Sequence, residues 1–243
     1  MKKWLIFTYL IIMLPLNVYA ENCNRFYYDE QKPVGMIHPF AETKCFENFE
    51  AVFDSVAHIN IYSAELLKGN TLNDETQTHL IIHQFDEENP IIKLYHDFPY
   101  RKQLMMPAED IPVNGDVKDV FHYFNIVPSF NMLYARSWSM IEYHTRYLAY
   151  LNDRVYVVTG SIYSQHSRTI SFHNTLIVPN AIYKAIYIPS TDKGGVYICT
   201  NNIDYICKII SLRSFFEKTR INVFPTVTQG SASRLDMKLM WYK

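Results

Sequence analysis

The chain has 243 residues and a formal charge of −1, with 23 Lys and Arg against 24 Asp and Glu. From Glu21 onward two lysines fewer remain, which leaves 21 basic against 24 acidic residues, a charge of −3. A dedicated non-specific nucleic-acid binder usually has a basic excess, so this balance counts against that class. The sequence has no internal repeat, low-complexity tract or flexible linker, and this length favours one domain.

The N terminus has the pattern of a secretory signal peptide. Lys2 and Lys3 form a positive segment, Trp4 to Leu16 is apolar, and a small-residue cleavage pattern ends at Ala20. An uncleaved anchor is the alternative, but the apolar run is short of the ~20 residues that a membrane span needs. We therefore expect a signal peptide at 1–20 and one domain at 21–243, secreted or periplasmic, with no stable membrane span after cleavage.

An even number of cysteines in an exported chain predicts disulfides. Four cysteines allow three pairings, and we expect the local one, because two of them flank the short polar turn "TNNIDYI". A zinc site is the alternative, although the set contains no C-x2-C pair. The expected bridges are Cys23–Cys45 and Cys199–Cys207.

Strand-like segments occur throughout the chain. Residues 45–67 mix aromatic and β-branched side chains, and "THLIIHQF" (78–85) and "IIKLYHDF" (91–98) are two further strand candidates. "RVYVVTGSIY" predicts a buried strand that ends at Gly160, and further strands are expected within 175–189 and 194–202.

Two helices are expected beside these strands. Apolar residues recur three and four apart from Asn131 to Leu151, which predicts a helix of about five turns. "SLRSFFEKT" predicts a shorter helix with Ser211 as its N-cap. The predicted fold class is α+β, with a central, mostly antiparallel sheet flanked by helices.

Six short motifs occur in a fixed order, and together they resemble the DNA/RNA non-specific endonuclease family. This family consists of secreted nucleases with a ββα-metal, or His-Me, finger. The resemblance runs from about Cys45 to Pro225 and implies the His-Me finger endonuclease fold and metal-dependent phosphodiester hydrolysis. The motifs are "YSAELL" (62–67), "NIVPS" (125–129), Trp138-x-x-Ile141-Glu142-x-x-x-Arg146, "VYVVTG" (155–160), Val178 to Lys184, and Ser211 to Thr219 followed by Phe224-Pro225.

The catalytic signature of the family, D-R-G-H-L-A-P-A-x-D, aligns without a gap to "RKQLMMPAED" (101–110). In this frame Lys102 stands for the Arg and Leu104 for the catalytic His. The metal-binding Asn lies eight residues before the helix Glu, a position that Tyr134 occupies here. A frame shifted by one residue places Arg101 and Gln103 at the Arg and His positions, but it needs an insertion before the Pro.

Either frame removes the chemistry that the resemblance implies. A neutral His would act as the base on a water, and its loss typically costs about 10²–10⁴ in rate. Mg²⁺, the cofactor expected if the protein were active, prefers amide or carboxylate oxygens and water to the phenol of Tyr134. The resemblance thus implies a vestigial site of Lys102, Leu104, Glu142 and Arg146, with no metal at Tyr134.

The packing of this site is a further expectation. Leu104, Met105 and Met106 should fold over the cleft beside Tyr134, and Glu142 should pair with Arg146, which is also a favourable i,i+4 helix pair. His96, His122 and His144 are the candidates for a relocated base, but each is more often a surface or core residue.

These observations favour an exported, catalytically inactive nuclease-fold protein retained for binding nucleic acid or a protein partner. One alternative is a weakly active, metal-dependent endonuclease for DNA and RNA. Another is a structural subunit of an envelope complex, in which the old cleft is filled.

Overall fold

We describe the fold from a computed structural model, over residues 22–36, 38–72, 89–94, 99–113, 115–170, 176–227 and 233–234. The signal peptide predicted at 1–20 and the strand predicted at 78–85 lie outside these ranges. Within them, no helix combines the length and the apolar character that crossing a bilayer requires.

An eight-stranded sheet forms the centre of the described fold. Its strands are β1 (Ala41–Cys45), β2 (Phe49–Asp54), β3 (Ile59–Lys68), β6 (Arg154–Ile162), β9 (Ala181–Ile188), β10 (Lys193–Thr200), β11 (Cys207–Ile210) and β12 (Ser233–Arg234). They lie side by side in the order β1-β2-β3-β6-β9-β10-β11, and β12 also pairs with β10. All neighbouring strands are antiparallel except β10 and β12, so the predicted α+β class with a mostly antiparallel sheet is confirmed.

A separate hairpin and a long helix stand against this sheet. The antiparallel strands β4 (Tyr100–Leu104) and β5 (Ile126–Phe130), which residues 105–125 separate in the sequence, form the pair that we call the hairpin. The chain then enters α1 (Asn131–Leu133), a π-helical turn (Tyr134–Trp138) and α2 (Ser139–Asn152), which run on without a break and which we call the long helix. A second small sheet pairs β7 (Thr169–Ile170) with β8 (Leu176–Ile177).

Short helical segments complete the described chain. In α3 (Leu212–Thr219), the Ser211 Oγ accepts a hydrogen bond from the Ser214 amide at 3.1 Å, which confirms the predicted N-cap. The 3₁₀ segments are Cys23–Phe26, Tyr28–Glu30, Ile92–Leu94, Ala108–Asp110, Val117–Phe121, Tyr123–Asn125 and Pro189–Thr191.

The two faces of the sheet carry different cores. On one face, Trp138, Ile141 and Ala149 of the long helix pack against apolar side chains of β6, β9 and β10. On the other face, Phe215 of α3 and Phe26 of the N-terminal segment pack against the alternate side chains of the same strands. This alternation explains why the strands read as continuous apolar runs: both of their faces are buried.

Both expected disulfides are confirmed. Cys23 bonds to Cys45, with 5.8 Å between their Cα atoms, and Cys199 bonds to Cys207, with 4.1 Å. Cys199 and Cys207 also face each other across the β10–β11 pair, so the second bridge links two strands directly.

Two expected elements differ from the structure. The strand predicted at 91–98 is a 3₁₀ segment at Ile92–Leu94, and residues 95–98 lie outside the described part. Gly160 does not end its strand, since β6 continues to Ile162. A Cβ at Gly160 would lie 2.3 Å from the Tyr183 hydroxyl oxygen, so the glycine makes room for a neighbouring ring inside the sheet.

Candidate functional site

The hairpin strand β4 presents alternate side chains to the long helix. The Arg101 guanidinium lies over the Tyr134 ring, with 4.0 Å from its Cζ to the ring centroid. Two residues along, the Gln103 Nε2 donates a long hydrogen bond of 3.4 Å to Glu142 Oε1. Met105 continues the same face and packs into the core beneath the long helix. Because successive strand residues point to opposite sides, residues 101, 103 and 105 form one face.

Leu104 belongs to the opposite face of β4. It packs against the cluster around Phe46 and Phe121 and the cluster around Ile126, whereas Tyr134 packs against the core of the long helix. Our expectation that Leu104 and Tyr134 fold together over the cleft is therefore wrong. Met106 also packs on the Phe46 side, and Met105 is the one residue of the three that enters the core beside Tyr134.

The turn after β4 is held by a buried asparagine. The Asn125 side-chain oxygen accepts hydrogen bonds from the Met106 amide at 2.9 Å and from Ser63 Oγ at 2.8 Å. Its Nδ2 donates to the carbonyl oxygens of Met106 and Val120 at 2.8 and 2.9 Å. These bonds give the asparagine of the "NIVPS" motif a structural role, because they fix the bend between β4 and Pro107.

The expected pairing of Glu142 with Arg146 is also wrong. Arg146 Nη1 instead donates to Asp110 Oδ1 at 2.9 Å. Asp110 ends the 3₁₀ segment Ala108–Asp110, which directs its carboxylate toward the long helix. The Asp110 side chain has no exposed surface. Glu142 turns instead toward Gln103, so the two helix residues have different partners.

A second buried ion pair lies nearby on the sheet. Lys184 Nζ of β9 is 3.6 Å from Glu65 Oε1 of β3, and both side chains are almost fully buried. The nearby carboxyl groups of Asp110 and Glu142 raise the pKa of Glu65, and the Lys184 ammonium lowers the pKa of Glu142. The family-motif residues thus meet in one buried group, which we call the ionic cluster: Glu65, Asp110, Glu142, Arg146 and Lys184.

Two carboxyl groups of the ionic cluster, those of Glu142 and Glu65, have raised pKa values. Burial raises the pKa of Glu142 to about 8, although the nearby Lys184 charge acts in the opposite direction. Burial, reinforced by the Asp110 carboxylate, raises the pKa of Glu65 well above its ordinary value. Since three carboxyl groups share two cations, uptake of a proton lowers their mutual repulsion. Glu142 is therefore mostly neutral at pH 7.

The surroundings of Tyr134 do not fit a divalent metal. Burial and the nearby Glu142 raise the pKa of Tyr134 to about 12, so its phenol is neutral at pH 7. A guanidinium already occupies the face of its ring, and the adjacent Glu142 carboxyl accepts a hydrogen bond from Gln103. The buried Gln103 Oε1 has no hydrogen-bond partner and is a single hard donor. Across the described residues, no three His, Cys, Asp or Glu side chains are grouped to hold a metal ion.

The candidate histidines have other surroundings. The His122 ring stacks on Tyr123, and its Nδ1 accepts a hydrogen bond from the Phe124 amide at 3.2 Å. Burial lowers the pKa of His144, and no hydrogen bond to its buried Nδ1 is formed within the described structure. His96 lies outside the described residues.

A groove opens beside the far end of the hairpin. It has a volume of about 460 Å³, and the rings of Tyr100 and Phe130 lie edge to face in its wall, 6.2 Å apart. His166 and Arg168 line it as well, both exposed to solvent. The groove borders the site, because Tyr100 directly precedes Arg101 on β4.

Sequence reasoning found part of this site. It identified Tyr134, Glu142 and Arg146 by motif spacing, and the structure places all three on the long helix near β4. It assigned no role to Glu65 or Lys184, although both fall within quoted motifs. Their burial inside continuous apolar strands is the signal that they needed partners.

Comparison with known proteins identifies the class to which this fold and site belong. Residues 33–228 match the model of the DNA/RNA non-specific endonuclease family, so the chain belongs to that family. A chain in the crystal structure of the EndoG/EndoGI complex, which describes the mechanism of EndoG inhibition, has the same fold at a TM-score of 0.67. It shares 17% identity, and the match covers 87% of this chain and 94% of the other. No curated protein matches significantly.

Proposed function

We propose that this protein is an exported member of the family that no longer hydrolyses phosphodiesters and is retained for binding nucleic acid. The observation that carries the proposal is the pair of side chains beside Glu142: the Gln103 amide, 3.4 Å from its Oε1, and the Tyr134 phenol, whose ring the Arg101 guanidinium covers. An amide is not the base that hydrolysis needs, and a neutral phenol is not a ligand that a hard divalent cation prefers.

The side chain that reaches Glu142 from β4 supports loss of the general base. The geometry favours the shifted alignment, in which Gln103 takes the place of the family histidine and Arg101 that of the arginine. An amide is not a base at neutral pH, so Gln103 cannot take a proton from an attacking water. Lys102 and Leu104 then have no part in the vestigial site.

The groove at the hairpin end supports the binding role. Aromatic rings stack on unpaired bases, and each stacked base contributes about 1–3 kcal/mol. The half-buried Tyr100 and Phe130 line the groove with rings, and the exposed Arg168 supplies a cation for the phosphate backbone. Because the predicted mature chain is acidic overall, binding depends on these local contacts more than on long-range attraction. Single-stranded DNA or RNA is the ligand that this combination suits.

Fluorescence anisotropy with a labelled single-stranded oligonucleotide tests the proposal in one experiment. In low salt and Mg²⁺, anisotropy should rise while the oligonucleotide stays intact on a gel. Arg168→Ala should weaken binding by roughly tenfold, whereas Arg213→Ala, which removes an exposed cation on α3, should have little effect.

Two results would contradict the proposal. Cleavage that EDTA abolishes would favour the weakly active endonuclease. Absence of binding at any salt concentration would remove the nucleic-acid role and leave a protein partner or an envelope complex to be sought. Export has its own test: the mass of protein recovered outside the cytoplasm should correspond to a chain that begins at Glu21.

A further inference from the structure

A pocket lies beside β3 at the point where its pairing with β2 ends. The β2–β3 ladder stops at Phe49 and Glu65, whereas β3 continues to Lys68 and pairs there with β6. The turn between β1 and β2 and the chain that follows the 3₁₀ segment Ala108–Asp110 enclose this edge of β3. The resulting pocket has a volume of about 180 Å³.

The inner end of the pocket contains two carboxyl groups of the ionic cluster. Glu65 and Asp110 both line it, although only 1% and 3% of their surfaces are exposed. Within the described residues, no amide, hydroxyl or ammonium donor lies at hydrogen-bond distance from either oxygen of Glu65 or from Oδ2 of Asp110. The Asn48 amide in the wall, whose Nδ2 also lacks a partner, can rotate to present its oxygen. The pocket therefore reaches three buried carboxyl oxygens that accept no hydrogen bond from these donors.

The cations of the ionic cluster do not balance its carboxyl groups. Lys184 Nζ lies 3.6 Å from Glu65 Oε1, beyond hydrogen-bond distance, and Arg146 Nη1 donates to Oδ1 of Asp110 and leaves Oδ2. With Glu142, the cluster has three carboxyl groups against these two cations. A proton on one carboxyl group is one means of restoring the balance, and a cationic group in the pocket is another.

The walls of the pocket favour a weakly hydrated cation. Much of the lining is apolar, from Phe26, Leu66, Leu67, Leu72, Met106 and Pro112. A guanidinium is planar, is less strongly hydrated than an ammonium, and presents paired N–H donors that match a carboxylate. A bare metal ion is a poorer occupant, because no three His, Cys, Asp or Glu side chains are grouped to hold one in the described part of the chain.

We propose that this pocket binds a guanidinium group, which belongs either to a free small molecule or to an arginine side chain of another protein. Its N–H groups donate to both oxygens of Glu65 and to Oδ2 of Asp110, and its charge offsets the third carboxylate of the ionic cluster. Neither Gln103 nor Tyr134 lines the pocket, so it is separate from the vestigial site. The proposal does not depend on the function proposed above.

The mouth of the pocket has charges of both signs. Arg25 and Lys68 are exposed there, beside the exposed Glu47. The Arg25 guanidinium donates to the backbone oxygens of Asn22 and Glu47, at 2.8 and 2.7 Å. Water and salt screen the charges at the mouth more than those at the inner end, so the buried carboxyl groups determine the sign of the ligand. Removing the charge of Lys68 should therefore not weaken binding.

Saturation-transfer difference NMR with methylguanidinium as the probe provides the test. Its methyl protons should receive saturation from the mature protein at alkaline pH, where fewer protons compete for the carboxyl groups. Methylurea has nearly the same shape without the charge and should bind at least about tenfold more weakly, because hydrogen bonds between charged groups are the stronger kind. Free arginine and the peptide Gly-Arg-Gly, titrated in the same way, distinguish the two sources. Binding of the peptide would assign an arginine side chain, and binding of free arginine alone would assign a small molecule.

Two variants assign the signal to the pocket. Glu65→Gln keeps the shape of the side chain and removes its charge, and it should lower the affinity for methylguanidinium at least about tenfold. Thr71→Phe adds bulk at a half-buried position of the lining and keeps both carboxyl groups, so it should also weaken binding and serves if Glu65→Gln does not fold.

Lys68→Gln is the matched control, because it changes an exposed residue of the same lining and should bind at least as tightly as the unmodified protein. Circular dichroism should confirm which variants are folded. Absence of methylguanidinium binding would overturn the proposal, as would equal binding of methylguanidinium and methylurea. Unchanged affinity in the folded variants at positions 65 and 71 would also overturn it.

Discussion

The ionic cluster and the ring of Tyr134 lie on the same side of the long helix, yet they differ in kind. The cluster consists of residues that match the motifs of the family, and four of them form ion pairs: Arg146 with Asp110, and Lys184 with Glu65. At the edge of the cluster lie Gln103 and Tyr134, which in the proposed alignment stand where the family carries its base and its metal ligand. On that proposal, the residues that build the site are kept and the two that supply its chemistry are replaced.

The difference teaches that a match to family motifs is not evidence of activity. Buried charges need partners whether or not the protein is an enzyme, because an unpaired buried charge costs several kcal/mol. The general base and the metal ligand have no such structural duty. Glu142 and Arg146 are thus compatible with a protein that cleaves nothing.

The largest expected effect comes from breaking the ionic cluster. Arg146→Met leaves Asp110 as an unpaired buried charge, and we expect the free energy of unfolding to fall by about 2–4 kcal/mol, measured by urea denaturation. Arg213→Met removes the exposed i,i+4 pair with Glu217 and should cost about 0.5 kcal/mol or less. Equal losses in the two variants would mean that the cluster does not support the fold.

Restoring the two chemical positions should have the next largest effect. Gln103→His/Tyr134→Asn should produce Mg²⁺-dependent nicking about 100-fold above a buffer blank, which equals about 2.7 kcal/mol of barrier. The matched control is Leu104→His/Tyr134→Asn, whose histidine would lie on the opposite face of β4 and should remain inactive. Activity in the control alone would favour the gapless alignment, in which Leu104 stands for the histidine. A first variant that is folded but inactive would show that more than these two groups is missing.

The protonation of Glu142 predicts a pH dependence of stability. Its pKa is 4.5 without the fold and about 8 within it, so between these values the folded state holds an extra proton. Stability should therefore fall as pH rises from about 5 to 8, by about 1.4 kcal/mol or more. In Glu142→Gln this fall should shrink, but not vanish, because the pKa of Glu65 is shifted in the same direction. The loss of stability is measured from the midpoints of urea unfolding at pH 6 and pH 9. Glu217→Gln, at an exposed position, is the control. If Glu142→Gln loses as much stability between these pH values as the unmodified protein, Glu142 is ionised in the folded state.

The smallest effect concerns the contact over Tyr134. Arg101→Ala removes the guanidinium from the ring and should cost about 0.5–1 kcal/mol. Tyr134→Phe keeps a ring for the same contact and should cost less. Thermal unfolding of the two variants compares them, and a larger loss in Tyr134→Phe would indicate that the hydroxyl, and not the stacking, holds this region.

Much of the fold could be predicted from the sequence. Residues 131–151 have helical spacing, and the apolar runs of β6, β9 and β10 are long enough to identify buried strands. The facing direction of Leu104 could not be predicted, because it depends on a bend at Met105 and Met106. Asn125, far along the chain, holds this bend by two hydrogen bonds to Met106 and is itself fixed by two more, with Ser63 and Val120. The partner of Arg146 was missed for a similar reason. Helix spacing favours Glu142 as the partner of Arg146. The partner in the structure is Asp110, 36 residues earlier in the sequence, whose buried carboxylate accepts a hydrogen bond from Arg146.

Loss of hydrolysis is the central claim, and a plasmid-nicking assay on the purified mature protein tests it most directly. Supercoiled plasmid should remain intact in Mg²⁺ and in Mn²⁺, with the same trace of nicking as in EDTA, while Gln103→His/Tyr134→Asn prepared in parallel should give open circles in Mg²⁺ alone. Nicking by the unmodified protein that EDTA abolishes, and that copurifies with the protein through successive columns, would contradict the account.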